Sequence, residues 1–264
     1  MLIDMHTHAY ADAIAEKALR VLSGNSHIPP VLDGKASTLS ESTRRAGLDY
    51  SVMLSIATKP TQTRTINTWA LSVAGEYSNI IPFGTIHPDN ENFEEELSWL
   101  AANGFRGVKI HPDYQKALVN DPRYMDIFAV MEQKGLILIT HAGFDVGLPP
   151  PRHCMPHMLA EALDAFPRLT VIAAHMGGVE EQEEVRKYYN GRNVYLDTCF
   201  THLYLSGEEL TEAIKRHGAE KVLFGTDSPH TDQRQQMEYI LSLKLSDEEK
   251  ALIMGGNAAR LLKL

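Results

Sequence analysis

Leu2-Ile3-Asp4-Met5-His6-Thr7-His8 is the stretch from which the rest of the chain can be read. An apolar entry runs into two histidines at i and i+2, with an acid two residues earlier. Alternate side chains on a strand share a face, so the pattern predicts Asp4, His6 and His8 pointing the same way at a strand end. Two imidazoles one strand step apart can grip a single ion, and imidazole nitrogen suits zinc and its first-row neighbours. Taken alone, His-x-His also reads as nothing more than a polar strand end. Repetition further along the chain tells against that.

Seven more apolar runs lie downstream: Tyr50–Ile56, Ile80–Ile86, Gly104–Pro112, Leu136–Thr140, Leu169–Ala174, Val194–Asp197 and Lys221–Gly225. Between them lie stretches of helical periodicity, among them Thr63–Glu76, Phe93–Leu100, Asp121–Lys134, Pro156–Phe166, Val179–Tyr189 and Leu210–His217. Gly135 is a natural helix stop, and Ser246-Asp247-Glu248-Glu249 has capping-box form at the start of the last helix. Strands this uniformly apolar are buried on both faces, as parallel strands are. Eight β-then-α alternations predict an α/β fold of the (β/α)8 TIM-barrel type. An open doubly wound sheet is weaker, because no Gly-x-Gly-x-x-Gly opens the first helix.

One domain over 1–264 is expected, since such barrels take about 200–250 residues. Residues 9–48 stand between the first two strands as an insertion. Its first helix, Ala11–Leu22, should break at Ser23-Gly24-Asn25, and a second covers Ser37–Ala46. The insertion either roofs the site or is a surface excursion. Hydrophobic residues at 44% and charged residues at 22% match a folded globular chain. A formal charge of -9 and the lack of a polybasic run speak against nucleic acid and membrane partners. A small-molecule substrate is the expected partner, and a homo-oligomer is compatible with the composition. Cys154 and Cys199 form no CxxC, so neither a disulfide framework nor a thiolate zinc site is indicated. No signal-peptide pattern or long apolar span stands out, and the expected compartment is the cytoplasm.

Active sites of such barrels lie at the C-terminal ends of the strands. There the sequence places His6 and His8 after strand one, Lys109 and His111 on strand four, His141 after strand five, His175 after strand six and Asp227 after strand eight. The motifs Asp4-Met5-His6-Thr7-His8, Gly107-Val108-Lys109-Ile110-His111-Pro112, His141, His175-Met176-Gly177-Gly178 and Gly225-Thr226-Asp227-Ser228 resemble those of the amidohydrolase superfamily. The likeness is to its amidohydrolase-related branch of metal-dependent hydrolases, which includes aminocarboxymuconate-semialdehyde-decarboxylase-like members. The terminal Gly256–Leu262 is similar to that branch's closing helix.

The resemblance implies that His6, His8, His141 and Asp227 hold a divalent ion, with zinc first in line and one ion per chain favoured over two. It also implies that Asp227 shuttles a proton and that His175 polarises the substrate or helps activate water. Lys109 is read as an ammonium that neutralises a substrate carboxylate, the other option being a carboxylated lysine bridging two ions. His111 either contacts substrate or closes its strand. Asp4 is expected to orient a histidine from behind.

The leading expectation is a hydrolase that attacks a small amide, lactone or similar carbonyl with metal-activated water. The alternative is a non-hydrolytic metal-dependent decarboxylase of a small unsaturated or aromatic acid. A binding protein stabilised by a structural ion comes third, and it would close its coordination shell.

Overall fold

The computed structural model describes residues 1–264 apart from Val179. Eight strands, β1 (Ile3–Thr7), β2 (Tyr50–Leu54), β3 (Ile80–Thr85), β4 (Gly107–Ile110), β5 (Ile137–Thr140), β6 (Val171–Ala173), β7 (Val194–Asp197) and β8 (Val222–Leu223), pair in sequence order. Each neighbouring pair is parallel. The sheet closes just beyond β8. Met5 N–H donates to Phe224 O (2.8 Å), Asp227 N–H to His6 O (2.8 Å) and His8 N–H to Ser228 O (2.6 Å). The result is the eight-stranded TIM barrel that the alternation predicts.

Two apolar clusters show how the strands are set. Ile3, Met5, Val52, Leu54, Phe83, Ile139, Ile172 and Leu223 fill the barrel interior. Met53, Val108, Ile110, Leu138, Val171, Leu196 and Val222 belong to the outer layer under the helices. Side chains alternate between these layers along each strand, as period two requires. Lys109 thus points inward between Val108 and Ile110.

On β1 the register against β2 shifts between Asp4 and Thr7. An extra residue of this kind re-aims the side chains beyond it. Asp4, between inward Ile3 and Met5, therefore faces outward, and its carboxylate accepts from Thr226 N–H, Thr226 Oγ1–H and the Gln233 side chain. His6 turns inward. The expectation that Asp4 and His6 share a face is corrected by this bulge, and Asp4 ties β1 to the segment after β8 rather than backing a histidine ring.

The helices are α1 (Asp12–Ser26), α2 (Ala36–Ala46), α3 (Thr63–Glu76), α4 (Phe93–Ala102), the single turn α5 (Pro112–Gln115), α6 (Pro122–Lys134), α7 (Pro156–Ala165), α8 (Gln182–Tyr189), α9 (Gly207–His217), α10 (Gln233–Ser242), α11 (Asp247–Ala251) and α12 (Asn257–Leu262). Local signals set several ends. Asp121 caps α6 through Arg123 N–H, Pro122 opens it, and Gly135 ends it in the left-handed region at φ 66°. Ser246 and Glu249 form the capping box that opens α11.

Three boundaries differ from expectation, the first being that Ser246 opens α11 and not the last helix, α12, which follows the break at Gly255. Helix α1 continues through Ser23-Gly24-Asn25 and ends with His27 at φ 59°; a glycine inside an exposed helix costs only about 1 kcal/mol. The charged helix expected from Val179 begins at Gln182, and Val179 itself lies outside the described residues. Segment 9–48 also divides in two. Helix α2 packs on β2 and α10 as an ordinary barrel helix, and only α1 and the turn after it reach over the barrel mouth.

Candidate metal centre

The C-terminal strand ends open into a pocket lined by His6, His8, Lys109, His111, His141, His175 and Asp227. All seven residues singled out in the sequence thus face one cavity. Tyr10, Tyr114, Phe144, Phe200 and Tyr204 give it aromatic walls, and Leu22, Ser26 and Ile28 from α1 and its turn line its rim.

Its floor is set by the groups that hold the histidine rings. His6 Nδ1 lies 2.8 Å from Asp197 Oδ2, and His8 Nδ1 lies 2.8 Å from the Leu54 carbonyl. Both partners only accept, so each neutral ring carries its proton on Nδ1 and presents the Nε2 lone pair to the pocket. The two Nε2 atoms are 3.2 Å apart. Asp227 Oδ1 lies 3.0 Å from His8 Nε2 and 3.7 Å from His6 Nε2. Three acceptors this close repel one another until a cation is shared. Ligand bonds of about 2.0–2.2 Å in a tetrahedron place donor atoms about 3.3–3.6 Å apart. The triplet therefore fits a divalent ion by spacing, by tautomer and by donor chemistry.

Backbone geometry supports the floor. Asp227 sits at φ 65°, a left-handed turn that aspartate tolerates better than most side chains. Gly225 is needed just before it, because a Cβ there would lie 3.0 Å from His6 Cβ and 3.3 Å from Asp197 Cβ. Burial would raise the Asp227 carboxyl, but positive charge taken up by His6 and His8 outweighs it and draws the carboxyl well below the usual range, so this corner favours a carboxylate beside a cation. Burial, followed by the Lys109 charge, brings His6 down to about 4.

His141 stands one ring away from the triplet. Its Nδ1 lies 3.0 Å from His175 Nε2, and its ring stacks on His111 at 4.2 Å between centroids. His175 Nδ1 faces the Cys199 carbonyl at 3.4 Å, which makes Nδ1 the protonated nitrogen of His175 and His141 the donor to His175. His141 Nε2 is then a buried lone pair, and it has no partner among the described residues. The donor atoms of His6, His8 and Asp227 gather within 4.8 Å of one another, whereas His141 groups in this way with His111 and Asp145. Lys109, 1% exposed, brings Nζ to 3.4 Å from His6 Nε2, and burial pulls its ammonium below the ordinary lysine value.

Asp197 is the residue that sequence reasoning missed. Besides His6 Nδ1–H it accepts from His175 N–H (2.9 Å) and from the Cys199 thiol (2.7 Å), both on Oδ1. Burial would raise its carboxyl; His6 and these donors hold it far below the normal range. It plays the part assigned to Asp4, orienting a candidate ligand from behind. Its place at the end of strand seven was a usable signal, since the same rule found Asp227. Asp145, in the loop after β5, carried no such signal.

A family model described as amidohydrolase matches residues 3–264. The chain belongs to the amidohydrolase family. A sequence search of curated proteins gives no match. Among solved structures, this amidohydrolase is similar to an uncharacterized TIM-barrel protein from Bordetella bronchiseptica at 21% identity and TM-score 0.81, covering 99% of this chain and 98% of that one. It is similar to 5-carboxyvanillate decarboxylase from Sphingomonas paucimobilis at 18% identity and TM-score 0.74, with 100% and 99% covered. A dihydroxybenzoic acid decarboxylase from Polaromonas sp. JS666, with bound manganese and the inhibitor 2-nitroresorcinol, gives 15% identity and TM-score 0.76 over 100% and 97%. At these identities the likenesses establish the fold. Among the described residues, no helix of the amidohydrolase is long and apolar enough to cross a membrane.

Proposed function

We propose that this amidohydrolase is a metal-dependent carbon–carbon lyase that decarboxylates a small aromatic or unsaturated acid. The observation that carries the reading is Lys109, a buried lysine whose Nζ lies 3.4 Å from His6 Nε2 at the floor of an aromatic-walled pocket. An acid placed there sets its carboxylate between lysine and ion, and its flat body against the rings. The sequence ranks hydrolysis first; the decarboxylase neighbours support the second of its readings.

His6, His8 and Asp227 would hold the ion, and His141 can offer its free Nε2. The ion, when bound, supplies fixed positive charge that anchors and polarises a substrate oxygen. Zinc and its first-row neighbours all suit imidazole and carboxylate donors. Lys109 orients the carboxylate, and the aromatic walls exclude water from the reacting carbon. His175, entering the step as an imidazolium steadied by the neighbouring His141 ring, delivers a proton to that carbon and leaves as neutral imidazole. The electrons of the carbon–carbon bond then restore the double bond as carbon dioxide leaves. Asp227 is already held as an anion, so it stays beside the ion, and the proton that His175 gives up is replaced from solvent.

The test is to incubate the metal-loaded chain in deuterium oxide with hydroxybenzoates, unsaturated acids and lactones. Carbon dioxide release with one deuterium at the vacated carbon is the expected result. Ring or amide opening without carbon dioxide would overturn the reading in favour of hydrolysis.

A further inference from the structure

Above the floor, His111 and Asp145 form a hydrogen-bonded pair that takes no part in that chemistry. His111 is fixed on three sides. Its Nδ1 accepts Tyr114 N–H (3.4 Å) at the start of α5, its ring stacks on His141, and Nε2 faces Asp145 Oδ2 at 3.1 Å. Because Nδ1 accepts, Nε2 carries the proton and donates it. Asp145 Oδ1 accepts Gly147 N–H at 2.7 Å. Each carboxylate oxygen thus has one protein donor and a lone pair to spare. The side chain is 15% exposed and lines the pocket.

Donor atoms of His111, His141 and Asp145 lie within 4.8 Å of one another, yet their rings rule out a second ion. The two imidazoles are parallel to within 11°, so a cation in the plane of one would sit far out of the plane of the other. The trio is a holding device for a carboxylate. That carboxylate belongs to the roof of the pocket. A Cβ on Gly147 would lie 3.5 Å from Asn25 Cβ and 3.7 Å from Ser26 Cβ, which places the Asp145 loop against the end of α1.

We infer that Asp145, held by His111, is a specificity-determining residue: it accepts a hydrogen bond from a hydroxyl or amino group at the far end of a monocarboxylic substrate and rejects a second carboxylate there. The inference rests on the proposed acid-binding floor. Lys109 is the only lysine or arginine among the described lining residues, and it is committed to the floor beside His6. A second carboxylate at the roof would meet Asp145 without a compensating cation, which is discrimination by repulsion. A donor there makes a charge-assisted bond instead.

Calorimetric titration of the metal-loaded chain tests this with benzoate, its 3- and 4-hydroxy and 3- and 4-amino derivatives, isophthalate and terephthalate. The wild type should bind its best hydroxy or amino acid about tenfold or more tighter than benzoate, with both dicarboxylates weakest. In Asp145→Asn and Asp145→Ala the advantage should shrink below about threefold and the dicarboxylates should gain, while benzoate affinity holds. Persistence of the preference in both variants, or dicarboxylates binding the wild type as well as benzoate does, would overturn the role of Asp145. Failure of every acid, benzoate included, would instead sink the acid-binding floor and this inference with it.

Discussion

Floor and roof of the pocket hold their charges by opposite means. On the floor, His6 and His8 ride on or just beyond β1, and buried acceptors fix their tautomers. On the roof, Asp145 hangs on a loop and is steadied by one imidazole and one backbone N–H. Strand-borne groups are placed by the whole barrel, whereas loop-borne groups are placed by a few contacts that can vary without disturbing the core. Chemistry therefore belongs below and selectivity above. Changes on the floor should remove activity, and changes on the roof should redirect it.

The largest effect is expected from His6→Ala or His8→Ala. Each should bring bound metal, measured by elemental analysis of the purified chain, from about one ion per chain to background. Retention of a full ion by both variants would break the distinction at its base. Asp227→Asn should keep part of the metal yet lower turnover by about 10²–10⁴-fold. Asp197→Asn should weaken metal affinity by about 10–100-fold, with activity recovered at high metal concentration. A roof change such as Leu22→Ala should raise KM by about tenfold at most and leave kcat in place; an equal fall in kcat would give the roof a share in the chemistry.

Acid acts on floor and roof in the same direction. Burial holds His6 near 4 and also pulls His111 and His141 below their ordinary value. Unfolded, these rings would take protons from about pH 6.5 downward, protons that the native state refuses. Asp4, pushed up to about 7 by burial, acts in the opposite sense, but it is one group against these three and against His87, His202, His217 and His230, which burial also pulls down. The melting temperature of the metal-free chain should therefore fall as pH drops from about 6.5 toward 4. A rise over that interval would mean that the Asp4 contribution prevails.

Much of this was legible in the residues because a parallel barrel writes itself plainly. Fully apolar runs such as Leu136–Thr140 and the histidines and aspartate that terminate them gave both the fold and the seven pocket residues. The features that stayed hidden depend on single steps of geometry. One bulge between Asp4 and Thr7 reverses the parity that strict alternation assigns to Asp4, and no residue type announces it. Asp197 was visible as a strand end, but its hold on His6 spans 191 positions. The division between His141 and the His6–His8–Asp227 triplet depends on ring orientation, which spacing does not encode. Asp145 sits in a Gly- and Pro-rich loop where periodicity gives no guidance.

The short reach of β8 has one more consequence. Only Val222 and Leu223 are strand there, so the join between the last strand and the first is the thinnest in the wall, and His6 and His8 lie on one side of it with Asp227 on the other. A cation gripped by all three would act as a clasp across that join, and stripping it should let the edge breathe. Amide exchange at Gly225, Asp227 and His8 would then quicken well before the opposite side of the wall, around β4 and β5, registers any loss.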